Sequence, residues 1–363
     1  MKFRSAPSLC VVVLLFLFAA EVPAQSRPRN IILMIGDGMG LSQVTAGRTF
    51  KQRLELEQFR NLGLVLTHAY GKDYVTDSAA GATAFSTGVS TYNGAIGVGP
   101  DTLRRETILE MADSLGKGTG IVTVCSITHA TPASFVAHVA SRSMQVEIAY
   151  QIAMANTDLY LGSGWGWFLP KEQGGRRTDG KDLLTAMKAN GYTVVRTGSE
   201  FQPLRDMDVE KVIGLFAENH VDSAQARKPS LREQVAYALP FLARNDKGFF
   251  LLVEGSQIDW ASHDNKSDQV MVEMADFDDA IGEAVRFSEK NPGTLVVVTA
   301  DHETGGYALV DGSLQDKSVE GEFISDHHTA VMVPLFAMGP GSELLTGIRT
   351  NSEVGRILQE LMH

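Results

Sequence analysis

Asp259 and His263 stand four residues apart, so one helical turn would put a carboxylate and an imidazole on the same face. Such a pair suits a zinc-class ion. Asp301 and His302 are adjacent, a spacing better suited to a loop, and His327-His328-Thr329 precedes the apolar run Val331 to Met338. Taken singly, an Asp–His pair is more often a structural hydrogen bond. Three such groups, joined by Asp37 and Glu254, crowd enough carboxylates to require cations. Ser78 directly follows Asp77 at the head of a small-residue stretch, Val75 to Gly88. Asp77 or Ser78 could cap a helix whose first-turn N–H groups would face an anion, although an ordinary capped core helix would use the same residues. A serine hydroxyl is a poor nucleophile without a base or a metal. No Gly-x-Ser-x-Gly elbow surrounds Ser78 and the Asp and His residues fall in metal-ligand groupings, so metal activation fits better than a Ser-His-Asp triad. Two ions about 3.5–4 Å apart would stabilise both the attacking and the leaving oxygen of phosphoryl transfer.

Four apolar runs lead straight into these residues. Asn30 to Ile35 precedes Gly36-Asp37-Gly38-Met39-Gly40, where the glycines let Asp37 be presented at close quarters. Gly120 to Val124 precedes Ser126, His129 and Thr131; Phe249 to Val253 precedes Glu254, Asp259 and His263; Leu295 to Val298 precedes Asp301 and His302. Unbroken apolar runs mark strands covered on both faces, and ligand sites in parallel sheets collect beyond the carboxyl ends of strands. Helices are expected over residues 107–115, 144–155, 179–190, 231–245 and 267–289. Pro240 should kink or break the fourth, and Gly282 is a weak point of the fifth. The alternation predicts an α/β fold: a three-layer α/β/α sandwich with a large, mostly parallel central sheet and a metal site at the carboxyl ends of the strands. The glycine-rich stretch Gly162 to Arg177 reads as surface loop, whose aromatic residues either pack the loop or line a pocket. With no repeat or clear linker, residues 25–363 read as one catalytic domain with a loop-rich elaboration around 158–230.

The 363 residues are 44% hydrophobic and 21% charged, as in an ordinary globular protein, with a net charge of −11. That charge argues against nucleic acid or an anionic membrane surface as the main partner. It leaves room for an anionic substrate, because a site can carry its own cations. Residues 1–24 read as a secretory signal, with Lys2 and Arg4, an apolar run from Val11 to Ala20, and Val22-Pro23-Ala24 as the exit. The run is too short to span a membrane comfortably, so a periplasmic or secreted protein without a membrane span is expected. Cys10 would leave with the signal. Cys125, in the run from Ile121, then reads as a buried structural thiol with no disulfide partner.

With these residues in view, the chain resembles the alkaline phosphatases from Asn30 to about Gly341. The resemblance rests on six blocks in the family's order: Ile35 to Gly40, Val75 to Ala80, Ala130 to Ala133, Val253 to Gly255 with Asp259 and His263, Thr299 to His302, and His328-Thr329. It implies a phosphoseryl intermediate on Ser78. One zinc would be held by Asp37, Asp301 and His302 and would activate Ser78. A second, held by Asp259, His263 and His328, would stabilise the leaving oxygen and later supply the attacking hydroxide. A third ion, usually magnesium, would use Asp37, Thr131 and Glu254. Arg142 matches the arginine that grips two phosphate oxygens, a task for a guanidinium fork that favours monoesters over diesters. His129 stands where some members carry Asp and others His, and Trp260 where some carry Lys, which bears on the third metal. His328 is taken over His327 because Thr329 follows it. The chain is short for the family, so large interfacial insertions should be missing, and both a homodimer and a monomer remain open. The activity implied is broad hydrolysis of phosphate monoesters for phosphate scavenging. A phosphodiesterase or sulfatase of the same superfamily, or a secreted metal- or phosphate-binding protein without catalysis, is the alternative.

Overall fold

Every residue of the strand Asn30–Gly36 (β1) is buried, so both of its faces need cover. The computed structural model, which describes residues 27–363, provides that cover with helices on either side of a twisted sheet. The segment expected to be a secretory signal lies outside the described residues.

In chain order the helices are α1 (Leu41–Lys51), α2 (Ser78–Thr87), α3 (Ile108–Ser114), α4 (Ala130–Ala133), α5 (Gln145–Met154), α6 (Leu183–Ala189), α7 (Gly198–Phe201), α8 (Leu231–Leu242), α9 (Gln257–His263), α10 (Ser267–Lys290) and α11 (Asn351–Met362). After β1 the strands are β2 (Asn61–Leu66), β3 (Gly118–Ser126), β4 (Leu159–Ser163), β5 (Tyr192–Val195), β6 (Lys211–Leu215), β7 (Phe249–Gly255) and β8 (Thr294–Thr299). They continue with β9 (Glu303–Thr304), β10 (Ala308–Ser313), β11 (Ser318–Glu322), β12 (His328–Thr329), β13 (Val333–Met338) and β14 (Gly347–Thr350). The main sheet runs β14-β2-β13-β8-β1-β7-β3-β4-β6-β5, and β13 alone runs against the others. Two small ribbons, β10–β11 and β9–β12, stand outside it. The four strands singled out by their chemistry, β8, β1, β7 and β3, are consecutive at its centre. Ile35 is in register with both Glu254 and Thr299, so these strands end level and deliver their polar residues to one place.

Neighbouring residues of β7 demonstrate the cover on both faces. Phe249 packs on Phe287 of α10 at 5.7 Å, while Phe250 stacks on Phe135 on the opposite side at 6.0 Å between ring centroids. Burying each such side chain contributes about 1.5–3 kcal/mol. Helices α1, α8 and α10 lie on the first side and α2, α3, α4 and α11 on the second. All of α2 is buried, and its small residues are required by its neighbours. A Cβ added at Gly81 would lie 3.1 Å from Asp301, and one at Gly355 of α11 only 2.5 Å from the Ala84 carbonyl oxygen.

The expected helices at 107–115 and 144–155 lie within a residue of α3 and α5 at each end, and that at 267–289 within a residue of α10. Three expectations needed correction. The helix anticipated from Asp179 begins only at Leu183, because Asp182 takes the capping position and Asp179 pairs with Arg177. Helix α8 is not broken at Pro240 but ends two residues beyond it, at Leu242, short of the expected Asn245; it is held by its Ser230–Glu233 capping box and by burial of Leu239, Phe241 and Leu242. Gly162 and Ser163, read as loop, close β4, and the 158–230 segment contributes β4, β5 and β6 to one edge of the sheet.

Asp278 of α10 shows how one buried carboxylate ties α1 and the following turn to the body. It accepts from Lys51 Nζ at 2.6 Å, Glu55 N at 3.0 Å and Leu56 N at 3.2 Å. Asp278→Ala leaves the two backbone N–H groups unpaired and Lys51 with Asp279 alone, and is expected to lower stability by about 2 kcal/mol in urea unfolding, without changing turnover.

Candidate active site

Beyond β1 the chain turns at Gly38, whose φ of +72° places it in the left-handed region, and a Cβ there would lie 2.8 Å from Asp259 Cα. This turn buries Asp37 completely, and neither of its carboxylate oxygens has a hydrogen-bond partner. Asp301 Oδ1 accepts from Gly38 N at 3.3 Å and from His302 N at 3.1 Å, while Oδ2 has no partner. His302 Nε2 lies 3.3 Å from Asp37 Oδ1, 3.4 Å from Asp301 Oδ2 and 3.3 Å from Ser78 Oγ. The Thr304 hydroxyl donates its single proton to Asp259 Oδ1 at 2.5 Å, so at 3.2 Å it accepts from His302 Nδ1. The His302 Nε2 lone pair therefore faces two carboxylates. Burial, then the charges of Asp301, Asp259 and Glu254, hold Asp37 well above the usual carboxylate range. Burial, then Asp259 and Glu254, push Asp301 up to about 8, and burial lowers His302 far below the ordinary imidazole value. Acceptors turned toward acceptors in the interior are what a cation would reconcile.

The second group is built on α9, where the four-residue spacing works as expected. His263 Nε2 is 3.3 Å and His328 Nε2 3.6 Å from Asp259 Oδ1. His263 Nδ1 donates to the Asp326 carbonyl at 2.6 Å and His328 Nδ1 to the Thr76 carbonyl at 3.0 Å. Both Nε2 atoms thus point inward, 3.1 Å apart. Backbone carbonyls that fix imidazoles in this way are typical supports of metal ligands. In the protein without ions the place of a cation falls to a proton. The Asp259 hydrogen bond raises His263 to about 9, and the same bond, with His302 and His328, outweighs burial to hold Asp259 low. The rings of His302 and His328 stack at 3.4 Å, so the two groups adjoin. His327, by contrast, is exposed and turned toward Asp326.

Glu254 and Thr131 form a third acceptor set beside Asp37. Glu254 Oε1 and Thr131 Oγ1 are buried without partners. Glu254 Oε2 accepts from Thr123 Oγ1 at 2.5 Å and from Cys125 Sγ at 3.3 Å. Burial is the main cause that raises the Glu254 carboxyl. The buried thiol is thus turned toward a carboxylate, and Cys125, His129 and Glu254 also come within joint reach of one ion.

Arg142 lies beside the start of α2. Its Nη1 donates to Asp77 Oδ2 at 3.0 Å and its Nη2 to His129 Nε2 at 3.2 Å. Burial, then the Arg142 and His220 charges, lower His129 to about 3, so it stays neutral and can accept. Asp77 also accepts from Ala80 N at 2.9 Å and from Gly94 N at 3.1 Å, so one side chain caps α2 and steers the arginine. All ten residues singled out from the sequence therefore converge here. Sequence reasoning missed the supports: Thr304, Thr123, the carbonyls of Thr76 and Asp326, the bond from Asp77 to Arg142, and His220. His220 accepts from Ser126 N at 3.1 Å and packs edge-on against Trp260. Thr304 adjoins a strand-end motif and could have been found from it; backbone carbonyls carry no side-chain signature.

A family model described as "Alkaline phosphatase" matches residues 28–318. Alkaline phosphatase 4 of Bacillus subtilis (strain 168) is 40% identical over 309 residues, which cover 80% of this chain and 65% of that protein. The match thus spans just under two-thirds of that relative's length. Among solved structures, alkaline phosphatase from the Antarctic bacterium TAB5 superposes with a TM-score of 0.86 at 38% identity, over 93% of this chain and 99% of that one. A variant of the TAB5 enzyme, with one histidine replaced by glutamate and Mg bound in its M3 site, gives 0.85 at 37% identity over the same shares.

Proposed function

The chain belongs to the alkaline phosphatase family, and from that premise we propose that it hydrolyses phosphate monoesters to an alcohol and inorganic phosphate, with Ser78 as nucleophile. Asp37, Asp301 and His302 would hold one zinc, Asp259, His263 and His328 the other, and the hard oxygen set of Asp37, Thr131 and Glu254 a magnesium. When bound, these ions would supply the positive charge that favours an ionised Ser78 and offsets charge on the leaving oxygen. The observation that carries this reading is the set of buried acceptors without donors on Asp37, Asp301, Glu254 and Thr131, gathered with inward-facing imidazoles around one serine.

Ser78 Oγ would form a bond to phosphorus as the ester P–O bond breaks, and the departing alcohol oxygen takes up a proton. Water then attacks the phosphoseryl group, releases phosphate and restores the hydroxyl. Because Asp77 already occupies the Ala80 N–H, the N–H groups of Ser78 and Ala79 are left to face the phosphate at the start of α2. Arg142, oriented by Asp77 and His129, would grip two non-bridging oxygens. A terminal phosphoryl group offers them without a second ester arm, which favours monoesters.

No helix among the described residues is long and apolar enough to cross a membrane. The expected signal at 1–24 is what supports a periplasmic or secreted enzyme. The test compares turnover of a nitrophenyl monoester with that of its bis-nitrophenyl diester. A monoester preference of roughly a thousandfold is expected; a diester preference would overturn the reading. Arg142→Lys keeps the charge but loses the fork. It should lower monoester kcat/KM by about 10- to 100-fold and weaken inhibition by inorganic phosphate in step.

A further inference from the structure

Fifteen large apolar side chains are exposed among the described residues, and five of them, Tyr70, Tyr74, Val75, Ile324 and Val331, fall in two short segments, 70–76 and 324–331. These are the segments whose carbonyls hold the imidazoles of the second group: Thr76 O accepts from His328 Nδ1 and Asp326 O from His263 Nδ1. Through those bonds the two segments meet over Asp259, His263 and His328. On the reading above, the alcohol oxygen leaves the phosphorus there.

The backbone of both segments is tied to the body of the protein, and Ile324 and Tyr74 each pack on a neighbour. Ile324 is 84% exposed, yet its N–H donates to Gly305 O at 3.0 Å and Gly305 N donates to His327 O at 2.9 Å. Its side chain lies over Gly306, where an added Cβ would meet Ile324 Cγ1 at 2.3 Å and Thr329 Cγ2 at 3.6 Å. Ile324 therefore sits next to the His328-Thr329 pair. On the other side Tyr74, 69% exposed, stacks on His68 at 5.4 Å, the Val75 carbonyl accepts from Asn93 Nδ2 at 3.0 Å, and Tyr70 N donates to Thr91 O at 2.8 Å. Apolar side chains that are exposed and held rigid at a site mouth offer a ligand contact with little ordering cost.

We propose that Tyr74 and Val75 on one side and Ile324 and Val331 on the other form an apolar rim that receives the alcohol part of the substrate, favouring monoesters of apolar alcohols. The inference rests on the monoesterase reading and deepens it. Arg142 and Ser78 handle the phosphoryl group common to all monoesters, whereas the rim distinguishes what is attached to it.

The test uses the metal-loaded full chain and the n-alkyl phosphates from ethyl to hexyl, whose alcohols ionise alike, so that chemistry is constant along the series. Partial burial of each methylene should raise kcat/KM about twofold per carbon, chiefly through KM. In the double variant Tyr74→Ser, Ile324→Ser the slope should flatten, with ethyl phosphate turnover and inhibition by inorganic phosphate unchanged. A flat series in the wild type, or a slope that survives in the variant, overturns the proposal. So does a change in the variant's oligomeric state on light-scattering chromatography, which would assign the rim to a second copy. Absence of turnover with every ester would remove the monoesterase reading and this inference with it.

Discussion

Ser78→Ala is expected to lower monoester turnover by roughly 10³- to 10⁶-fold, the range over which removal of a nucleophile acts in enzymes that form a covalent intermediate. The substitution removes one oxygen and leaves the rest of the site standing. Ser78 Oγ contacts His302 Nε2 at 3.3 Å, but the His302 ring is fixed independently through Nδ1 and Thr304. The cap of α2 belongs to the Asp77 side chain, so the helix start survives as well. Alanine is already the residue at three of the next four positions, and Ser78 is buried in a tightly packed helix that tolerates a methyl group. Metal content by elemental analysis and thermal stability should therefore match the wild type while turnover collapses. Rapid-quench trapping should find phosphate on the wild-type chain and none on the variant. Unchanged turnover would take Ser78 out of its role, whatever the metals do.

The part of this site that was legible in the sequence is the part written in strand ends. Asp37, Glu254, Asp301 and His302 lie in or within three residues of buried apolar strands, and Asp259 and His263 occupy one helical turn, so period and spacing alone bring them into view. Their convergence needed the sheet order, which places β8, β1, β7 and β3 side by side although β7 and β8 come more than two hundred residues after β1. No periodicity encodes that. Ser78 was ambiguous for a physical reason: a helix cap and a nucleophile at a helix start use the same residues. Asp77 takes the cap itself and turns its other oxygen to Arg142, which leaves the Ser78 hydroxyl outside the capping role. Pro240 does not break α8 because a proline removes one N–H and crowds one preceding turn, a local cost that the buried Leu239, Phe241 and Leu242 outweigh. The late start of α6 has the same character. Asp179 and Asp182 are both competent caps, and only the Arg177 ion pair removes the first from competition.

Stripping the ions with a chelator is expected to abolish turnover and to lower Tm by an amount on the order of 10 °C, with both restored by zinc and magnesium. The loss follows from what remains behind. Asp37, Asp301, Asp259 and Glu254 are buried near enough to one another that the charges of the other three act on Asp37, and several of their oxygens lack any donor. The pH dependence gives this prediction a sign. In the ion-free protein burial, then the Asp259 and Glu254 charges, favour the neutral form of Asp301 and push it up to about 8, above its unfolded value. A carboxyl raised in the native state makes folding less favourable as pH climbs toward that value, since the native chain then binds more protons than the unfolded one. His263, raised to about 9 by Asp259, acts in the same direction above its unfolded pKa of about 6.5. His302 and His328, both lowered by burial, act in the opposite direction while the unfolded imidazoles still bind protons, and contribute almost no slope once the pH is about one unit above 6.5. Between about pH 7.5 and 8 the chelated protein should therefore lose stability by at most about 1.4 kcal/mol per pH unit from each of the two groups. In the loaded protein bound cations keep these carboxylates ionised and occupy the imidazole lone pairs, so that slope should be absent. Calorimetry of both forms at the two pH values reads the difference directly. Parallel stability curves would mean that the buried carboxylates do not hold the ions, and full turnover after verified removal of metal would overturn the metal dependence itself.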